Sequence, residues 1–427
     1  MVRIKGIRGN RMISSWTKPK FSEALRKWVS VNFGNRRSTQ HQVTRADFIE
    51  WFVGLTDGEG YFGIISNGSA AFKFIFRIEL HVDEEPMLNF IKSTLGFGKV
   101  YSIKDSSMWV VANQSDIVKL IDIFTNRPLN TTKLLNFLAF KSAFETYTSA
   151  TSKKEVLKEI TSLKTSMNTL RTDYTFPSWY QAHITPNWLL GFVEGEGSFS
   201  VHKKYYRSVF SLDQSLLDLA LMQSIANFLY SLVPGQKDWI SIILTKKKEM
   251  TKGMVKLIIT QEAKLTEVII PFFDKLNWHS KKAKDYLDWK VVLKMKGLGL
   301  QYQPKGVEVL DIILSQMNKN RLSTAGNPLV DRSKLDTEIN NLLTGPSNYE
   351  MREGEKFIKS LNRNKTDNKK RAVELRDAAE GGCVIKTFDS ILACAEFLGI
   401  PVSTLKYKIK QNRPVLLENK NVWGKKL

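Results

Sequence analysis

Cysteine is nearly missing from this chain: among 427 residues only Cys383 and Cys394 carry a thiol, and both lie near the C-terminal end. Two such residues build no disulfide framework and no Cys-rich zinc site, and they fit a reducing compartment. Histidine is sparse too. His41, His81, His183, His202 and His279 are scattered without the spacing of a metal-ligand set. No run approaches the roughly 18 apolar residues of a membrane span, so an acidic lipid surface would find no anchor here. Acid is also in short supply, with 42 Asp and Glu against 64 Lys and Arg, a formal charge of +22. That surplus implies a polyanionic partner, most simply nucleic acid. The apolar fraction of 42% suffices for buried cores, and the length allows two or three domains.

What is present is a repeat. Trp51 to Ile65 reads WFVGLTDGEGYFGII, and Trp188 to Val201 reads WLLGFVEGEGSFSV. Each copy is a short apolar helix with one internal glycine, Gly54 or Gly191, ending in acid, Gly, Glu, Gly and passing into an apolar strand. A helix that turns straight into a strand predicts positive backbone dihedrals, which would explain Gly58, Gly60, Gly195 and Gly197. The mid-helix glycines cost roughly 0.5–1 kcal/mol each relative to alanine, and close packing of one motif helix on the other would compensate. That packing would bring Glu59 and Glu196 together at a pseudo-twofold axis. Two adjacent carboxylates repel unless a cation or proton lies between them. Oxygen-only ligands that must also accept phosphate point to magnesium, with manganese as a substitute.

These residues resemble the LAGLIDADG homing endonucleases, whose nine-residue motif aligns with Phe52 to Gly60 and with Leu189 to Gly197. The resemblance spans about residues 48 to 325. It implies that Glu59 and Glu196 are the metal-binding acids, with Gly58 and Gly195 beside them at the metal. It also implies an α+β fold of two pseudo-twofold-related αββαββα units whose antiparallel sheets form a saddle on duplex DNA. The predicted boundaries are a basic leader over 1–46, a first unit over 47–150, a linker over 151–184, and a second unit over 185–325. A charged, flexible or helical linker follows over 326–380. Residues 381–427 are expected to form a small helical module.

Strand Phe72 to His81 alternates, with Phe72, Phe74, Phe76, Ile78 and Leu80 on one face. Lys73, Arg77 and His81 lie on the other and become candidate DNA contacts, as do Lys203, Lys204 and Arg207 in the second unit. The closing helices align through PLNTTKLLNFLAFK (128–141) and NWHSKKAKDYLDWK (277–290), matching Lys133 with Lys282 and Lys141 with Lys290. Family members carry basic residues near the scissile phosphate in this region, so Lys133 and Lys282 are the first candidates and Lys141 and Lys290 the second. The motif glycines are 137 positions apart and the lysines 149, so the second unit is twelve residues longer, around Pro234 to Lys237 and Thr245 to Thr251. The family often has a water-ordering glutamine late in its second strand. Gln214 fits that place, whereas the first unit has Leu80 there.

Between the units, Thr151 to Pro186 reads as a tether that docks Phe176, Trp179 and Tyr180. Gly306 to Leu322 reads as one helix. Phe388 to Ile409 reads as a helix-turn-helix, similar to the modular DNA-binding domains appended to homing nucleases, in which Lys406 and Lys408 would face the duplex.

The resemblance therefore implies a monomeric, metal-dependent endonuclease that cuts double-stranded DNA at a long asymmetric target and is encoded in a mobile intron. The alternative is a maturase that binds intron RNA on the same scaffold. Retention of both motif acids favours cleavage. A regulator that uses only the C-terminal module leaves the duplicated acids unexplained, and no His-Asn-His or GIY-YIG arrangement is visible. The leader, with eleven Lys or Arg and only Glu23 as acid, reads as a mitochondrial transit segment, a basic arm or an upstream-exon remnant; family habit points to the mitochondrion.

Overall fold

The computed structural model describes residues 44–68, 71–245, 253–328, 330–365, 373–377, 383–411, 413–417 and 420–426. The basic leader lies outside them, apart from its last three residues. The chain forms two compact units, 1–346 and 347–427.

In the larger unit, α1 (Arg45–Glu59) opens on a capping box between Thr44 and Asp47. Strands β1 (Gly60–Ser66) and β2 (Phe72–His81) follow, then α2 (Glu85–Leu95), β3 (Lys99–Ile103), β4 (Ser106–Val111), α3 (Gln114–Asn126) and α4 (Lys133–Ser149). The same order returns as α5 (Leu157–Thr165) gives way to α6 (Pro186–Glu196), β5 (Gly197–His202), β6 (Arg207–Ser215), α7 (Leu219–Ser231), β7 (Ser241–Thr245) and β8 (Met254–Ile259). A helix over 262–273, with a π turn at Leu265–Ile269, and α8 (Lys282–Gly297) close the repeat. Both sheets are antiparallel and share one topology, β1-β2-β4-β3 and β5-β6-β8-β7. The extra residues of the second copy sit where α7 joins β7 (232–240 against 96–98) and where β7 joins β8 (246–253 against 104–105). Residues 246–252 lie outside the described set.

Alternation explains the layers. Phe72, Phe74, Phe76 and Ile78 are buried under helices while Lys73 is exposed. The core beneath is aromatic: Phe62 meets Phe76, Phe124, Phe137 and Phe140 in one repeat, and Phe199 meets Phe210, Phe273, Tyr286 and Trp289 in the other. No helix among the described residues is long and apolar enough to cross a membrane.

Four expectations change. Gly58, Gly60, Gly195 and Gly197 do not adopt positive φ; Gly60 and Gly197 are extended, at φ −71° and −75°. Glycine is required there by space, since a Cβ on Gly60 would stand 2.8 Å from Thr56 O and one on Gly197 2.6 Å from Val193 O. The helix expected over 306–322 is α9 (Pro304–Ser315), followed by a 3₁₀ turn at Asn318–Arg321. Asn318 leaves the helix because Asp285 accepts its backbone N–H (2.9 Å) and its side chain donates to Phe199 O (3.2 Å), holding it at φ +56°. The described residues of the charged stretch 326–380 include folded elements: α10 (Arg332–Thr344) buries Leu335, Ile339 and Leu343 at four-residue spacing. In the linker, Phe176 and Tyr180 stack (4.1 Å) and Tyr180 donates to Asn130 O (2.5 Å), whereas Trp179 stays exposed.

The smaller unit holds a three-stranded sheet, β9 (Tyr349–Arg352), β10 (Glu355–Ile358) and β11 (Arg363–Asn364), inside that same charged stretch. A second sheet, ordered β13-β12-β15-β14, joins β12 (Val373–Asp377), β13 (Val384–Phe388), β14 (Val415–Leu417) and β15 (Lys420–Lys426). The helix pair predicted over 388–409 is present as α11 (Ile391–Phe397) and α12 (Val402–Lys410), and its apolar side packs with this sheet around Leu375, Cys394, Leu405 and Val422.

Candidate active site

The site grows from the crossing of α1 and α6. A Cβ on Gly54 would stand 2.8 Å from the carbonyl carbon of Trp188, and one on Gly191 would stand 2.8 Å from Leu55 N. Only glycine lets the two backbones approach this far. The approach carries to the helix ends, where a Cβ on Gly58 would lie 3.3 Å from the Cα of Gly195 and 3.4 Å from Cγ of Glu196. Glu59 and Glu196 thus end their helices side by side. Burial first, and then the charge of Glu59, push the Glu196 carboxyl up to about 7.

Carboxylates at helix C-termini also face the negative end of the macrodipole, and neither motif helix has a basic residue in its last turn. The cations come from elsewhere. Lys133, first residue of α4, donates through Nζ to the carbonyl of Gly58, and Lys282, first residue of α8, donates to Val193 O (3.1 Å) and Gly195 O (2.8 Å). Both lysines are half-buried, and loss of solvent around the ammonium groups lowers their pKa while nearby carboxylates, Glu59 and Glu196 among them, act in the opposite sense. The carbonyls of Gly58 and Gly195 therefore already accept one donor each. Among the described residues no group of three or more His, Cys, Asp or Glu is gathered as a metal site; each repeat contributes one motif carboxylate.

Four carboxylates that the repeat alone did not single out hold this arrangement. Asp57 accepts the backbone N–H of Asn130 (2.9 Å) and Thr131 (2.8 Å), just before α4, and Trp188 Nε1 of the crossing helix (2.8 Å). Glu194 does the same with His279 (2.9 Å), Ser280 (2.6 Å) and Trp51 Nε1 (2.5 Å). Burial raises both pKa values. The signal was available, since TDGEG and VEGEG each carry a second acid. The other two, Glu84 and Asp218, cap the lysine helices from the opposite repeat: Lys281 N–H reaches Glu84 (3.0 Å) and Thr132 N–H reaches Asp218 (2.8 Å). A further repeat, MNTLR at 167–171 and MNKNR at 317–321, was also legible; Asn168 and Asn318 tie it to Phe62 O and Phe199 O on the first strands.

The two halves are not identical. Gln214 Nε2 donates to Glu196 Oε1 (3.3 Å). Because Gly60 pairs with Ile78 and Gly197 with Leu212, the residue equivalent to Gln214 is Leu80.

The remaining candidates lie apart. Lys141 bonds Thr125 Oγ1 (3.2 Å) and Lys290 pairs with Asp274, so neither second-choice lysine meets the motif acids. Arg77 lies 4.8 Å above the Tyr61 ring and 3.6 Å from Glu79 on the outer face of the first sheet. His81, expected beside it, is drawn inward: its Nε2 is 3.0 Å from Thr324 Oγ1 and its Nδ1 accepts from Asp83 N (3.2 Å). Lys203 pairs with Asp311 (2.9 Å), Lys204 lies over Tyr205, and Arg207 is exposed at the start of β6. In the smaller unit Lys406 is exposed and Lys408 Nζ donates to Pro414 O (2.9 Å).

Residues 52–144 and 189–293 each match the model of the LAGLIDADG endonuclease family. The uncharacterized mitochondrial protein RF1 of Saccharomyces cerevisiae is 24% identical over 80% of this chain and 74% of its own length. Two probable intron-encoded endonucleases are similar, Cox1-I1b of Schizosaccharomyces pombe (32% identity, 38% of this chain, 43% of its own) and endonuclease 3 of Neurospora crassa (27%, 67% and 56%). The chain spans about half the length of those two endonucleases. Among solved structures, the LAGLIDADG homing endonuclease I-GzeII in complex with its DNA target superposes with a TM-score of 0.56 at 26% identity, covering 64% of this chain and 99% of that one. With one unit over each of the two matched stretches, this chain belongs to the LAGLIDADG endonuclease family.

Proposed function

We propose that the chain cleaves both strands of a long, asymmetric DNA target, using magnesium held by Glu59 and Glu196, with manganese able to substitute. The observation that carries this is the meeting of two motif carboxylates, each beside a half-buried lysine, at one glycine-packed crossing. The donor chemistry fits magnesium: all available ligands are oxygen, and glycine at 58 and 195 leaves the carboxylates room. When bound, the metal supplies Lewis-acid activation of water and stabilises the leaving 3′ oxygen.

The protein's own groups do the rest. Lys133 and Lys282, oriented by the carbonyls at the motif-helix ends, donate to phosphate oxygens as charge develops on them. Gln214 orders water beside Glu196, and Leu80 cannot do so beside Glu59, so the half-sites differ and the target is asymmetric. The outer sheet faces supply contacts to the duplex through Lys73, Arg77, Lys203, Lys204 and Arg207, and the smaller unit adds Lys406 and Lys408. One chain carries both acids, so the working form is a monomer. The names of the relatives support an intron-encoded protein resident in the mitochondrion.

The test is magnesium-dependent cleavage of a randomised duplex library by the purified chain, beside Glu59→Gln and Glu196→Gln. Specific cuts that vanish in both variants support the proposal. Binding of duplex or intron RNA without any cutting by the intact protein replaces it with the maturase alternative.

A further inference from the structure

Each lysine helix begins between two carboxylates from different repeats. At the start of α4, Asp57 of the first repeat takes the N–H groups of Asn130 and Thr131, while Asp218 of the second takes Thr132 N–H (2.8 Å) and lies 3.3 Å from Thr132 Oγ1. At the start of α8, Glu194 of the second repeat takes His279 and Ser280, while both oxygens of Glu84 of the first lie 3.0 Å from Lys281 N. Thr132 and Lys281 immediately precede Lys133 and Lys282.

The crossing recurs at equivalent places. Leu80 and Gln214 are register-matched, and Glu84 and Asp218 each stand four residues further on, in the 3₁₀ turn after the second strand. Bringing these carboxylates close to Glu194 and Asp57 sets like charges together: burial first, and then the neighbouring carboxylate, raise the pKa of Glu84 beside Glu194 and of Asp218 beside Asp57. An arrangement that carries this repulsion twice, at matched positions, needs a compensating gain. The first helical N–H groups and the positive end of the helix dipole provide it, and both act on the turn that carries the lysine.

We propose that Asp218 and Glu84 are positioning residues that act in trans between the repeats: Asp218 places Lys133 and Glu84 places Lys282. This rests on the reading that the two lysines act at the scissile phosphates. Neither repeat then completes its own phosphate site, and the two strand cleavages are coupled through the scaffold. The asymmetric repeats of one chain are held to a common geometry by this exchange.

The test is a set of double-mutant cycles in the full chain, read as single-turnover cleavage of the target in magnesium. Asp218→Asn and Glu84→Gln are combined with Lys133→Met and Lys282→Met. Each acid variant is expected to slow cleavage about tenfold, the rate equivalent of losing one charge-assisted bond. Asp218→Asn should add nothing further to Lys133→Met yet carry its full factor into Lys282→Met, and Glu84→Gln should show the mirror pattern. Duplex binding in chelator, unchanged within about twofold, shows that the fold is intact; where it is lost, Asp218→Glu or Glu84→Asp, which keep the charge but displace it by one methylene, replaces the variant. Equal factors in both lysine backgrounds would mean a merely structural cap and overturn the proposal. Wild-type rates in both lysine variants would sink the phosphate role itself, and the trans positioning with it.

Discussion

Gly54→Ala isolates the packing on which the site depends. In an open helix this change stabilises by roughly 0.5–1 kcal/mol, because alanine loses less backbone freedom on folding. Here the new Cβ would sit 2.8 Å from the carbonyl carbon of Trp188, 3.0 Å from Phe192 N, and closer still to the Trp188 oxygen. All three are backbone atoms of a buried helix, so no side chain can rotate away and the two helices must part. Overpacking of this kind costs about 1–3 kcal/mol or more, which exceeds the propensity gain. The net loss of about 1–2 kcal/mol corresponds to a melting temperature lower by roughly 1–3 °C for a unit of this size. Separation of the helices also moves Glu59 from Glu196, so cleavage should fall further than stability explains. Thermal melting followed by circular dichroism, with target cleavage alongside, measures both. A variant that melts at or above the parent and cuts at the parent's rate would refute the close crossing.

Three further outcomes follow from named contacts. His279 is stacked on Phe90 (4.6 Å) and against Trp51 (4.5 Å), and burial lowers its pKa to about 4. Its folded value lies below the ordinary 6.5, so stability is intact above pH 6.5 and is lost as pH falls toward 4, by about 3 kcal/mol in total. His279→Phe keeps the stacking and should flatten that part of the acid denaturation profile; an unchanged profile contradicts the assignment. Trp188→Phe removes the indole donor to buried Asp57 and should cost about 1.5–3 kcal/mol in urea unfolding, with a null effect showing that the bond contributes nothing. Chelation of divalent cations should stop cutting while leaving duplex binding in place, and cleavage that persists in chelator would exclude the metal role of Glu59 and Glu196.

How much of this was legible depends on distance along the chain. Glu59 and Glu196 stood out because WFVGLTDGEG and WLLGFVEGEG repeat, and Lys133 and Lys282 emerged once the closing helices were aligned. Strand Phe72–His81 could be bounded from alternation alone. Glu84 and Asp218 could not be found that way. They lie in different repeats from the helices they cap, 197 and 86 residues away, and nothing local marks a carboxylate that will meet a distant N–H. His81 shows the converse: strand parity placed it on the open face, but the turn after β2 and Thr324, 243 residues on, drew it inward.

The sequence by itself determined the class of the molecule, because periodicity, the duplicated motif and the charge of +22 are properties of local order and composition. It also marked the glycines at 54, 58, 60, 191, 195 and 197, though not the reason at 60 and 197, where close approach rather than a positive φ excludes a side chain. Only the tertiary structure decided that Lys133 and Lys282 donate to the carbonyls at the motif-helix ends, that their helices are capped across the repeats, and that Glu196 has a glutamine beside it while the equivalent place near Glu59 holds Leu80. Those choices depend on where two helices cross, and crossing geometry is set by the packing of the whole core around Gly54 and Gly191.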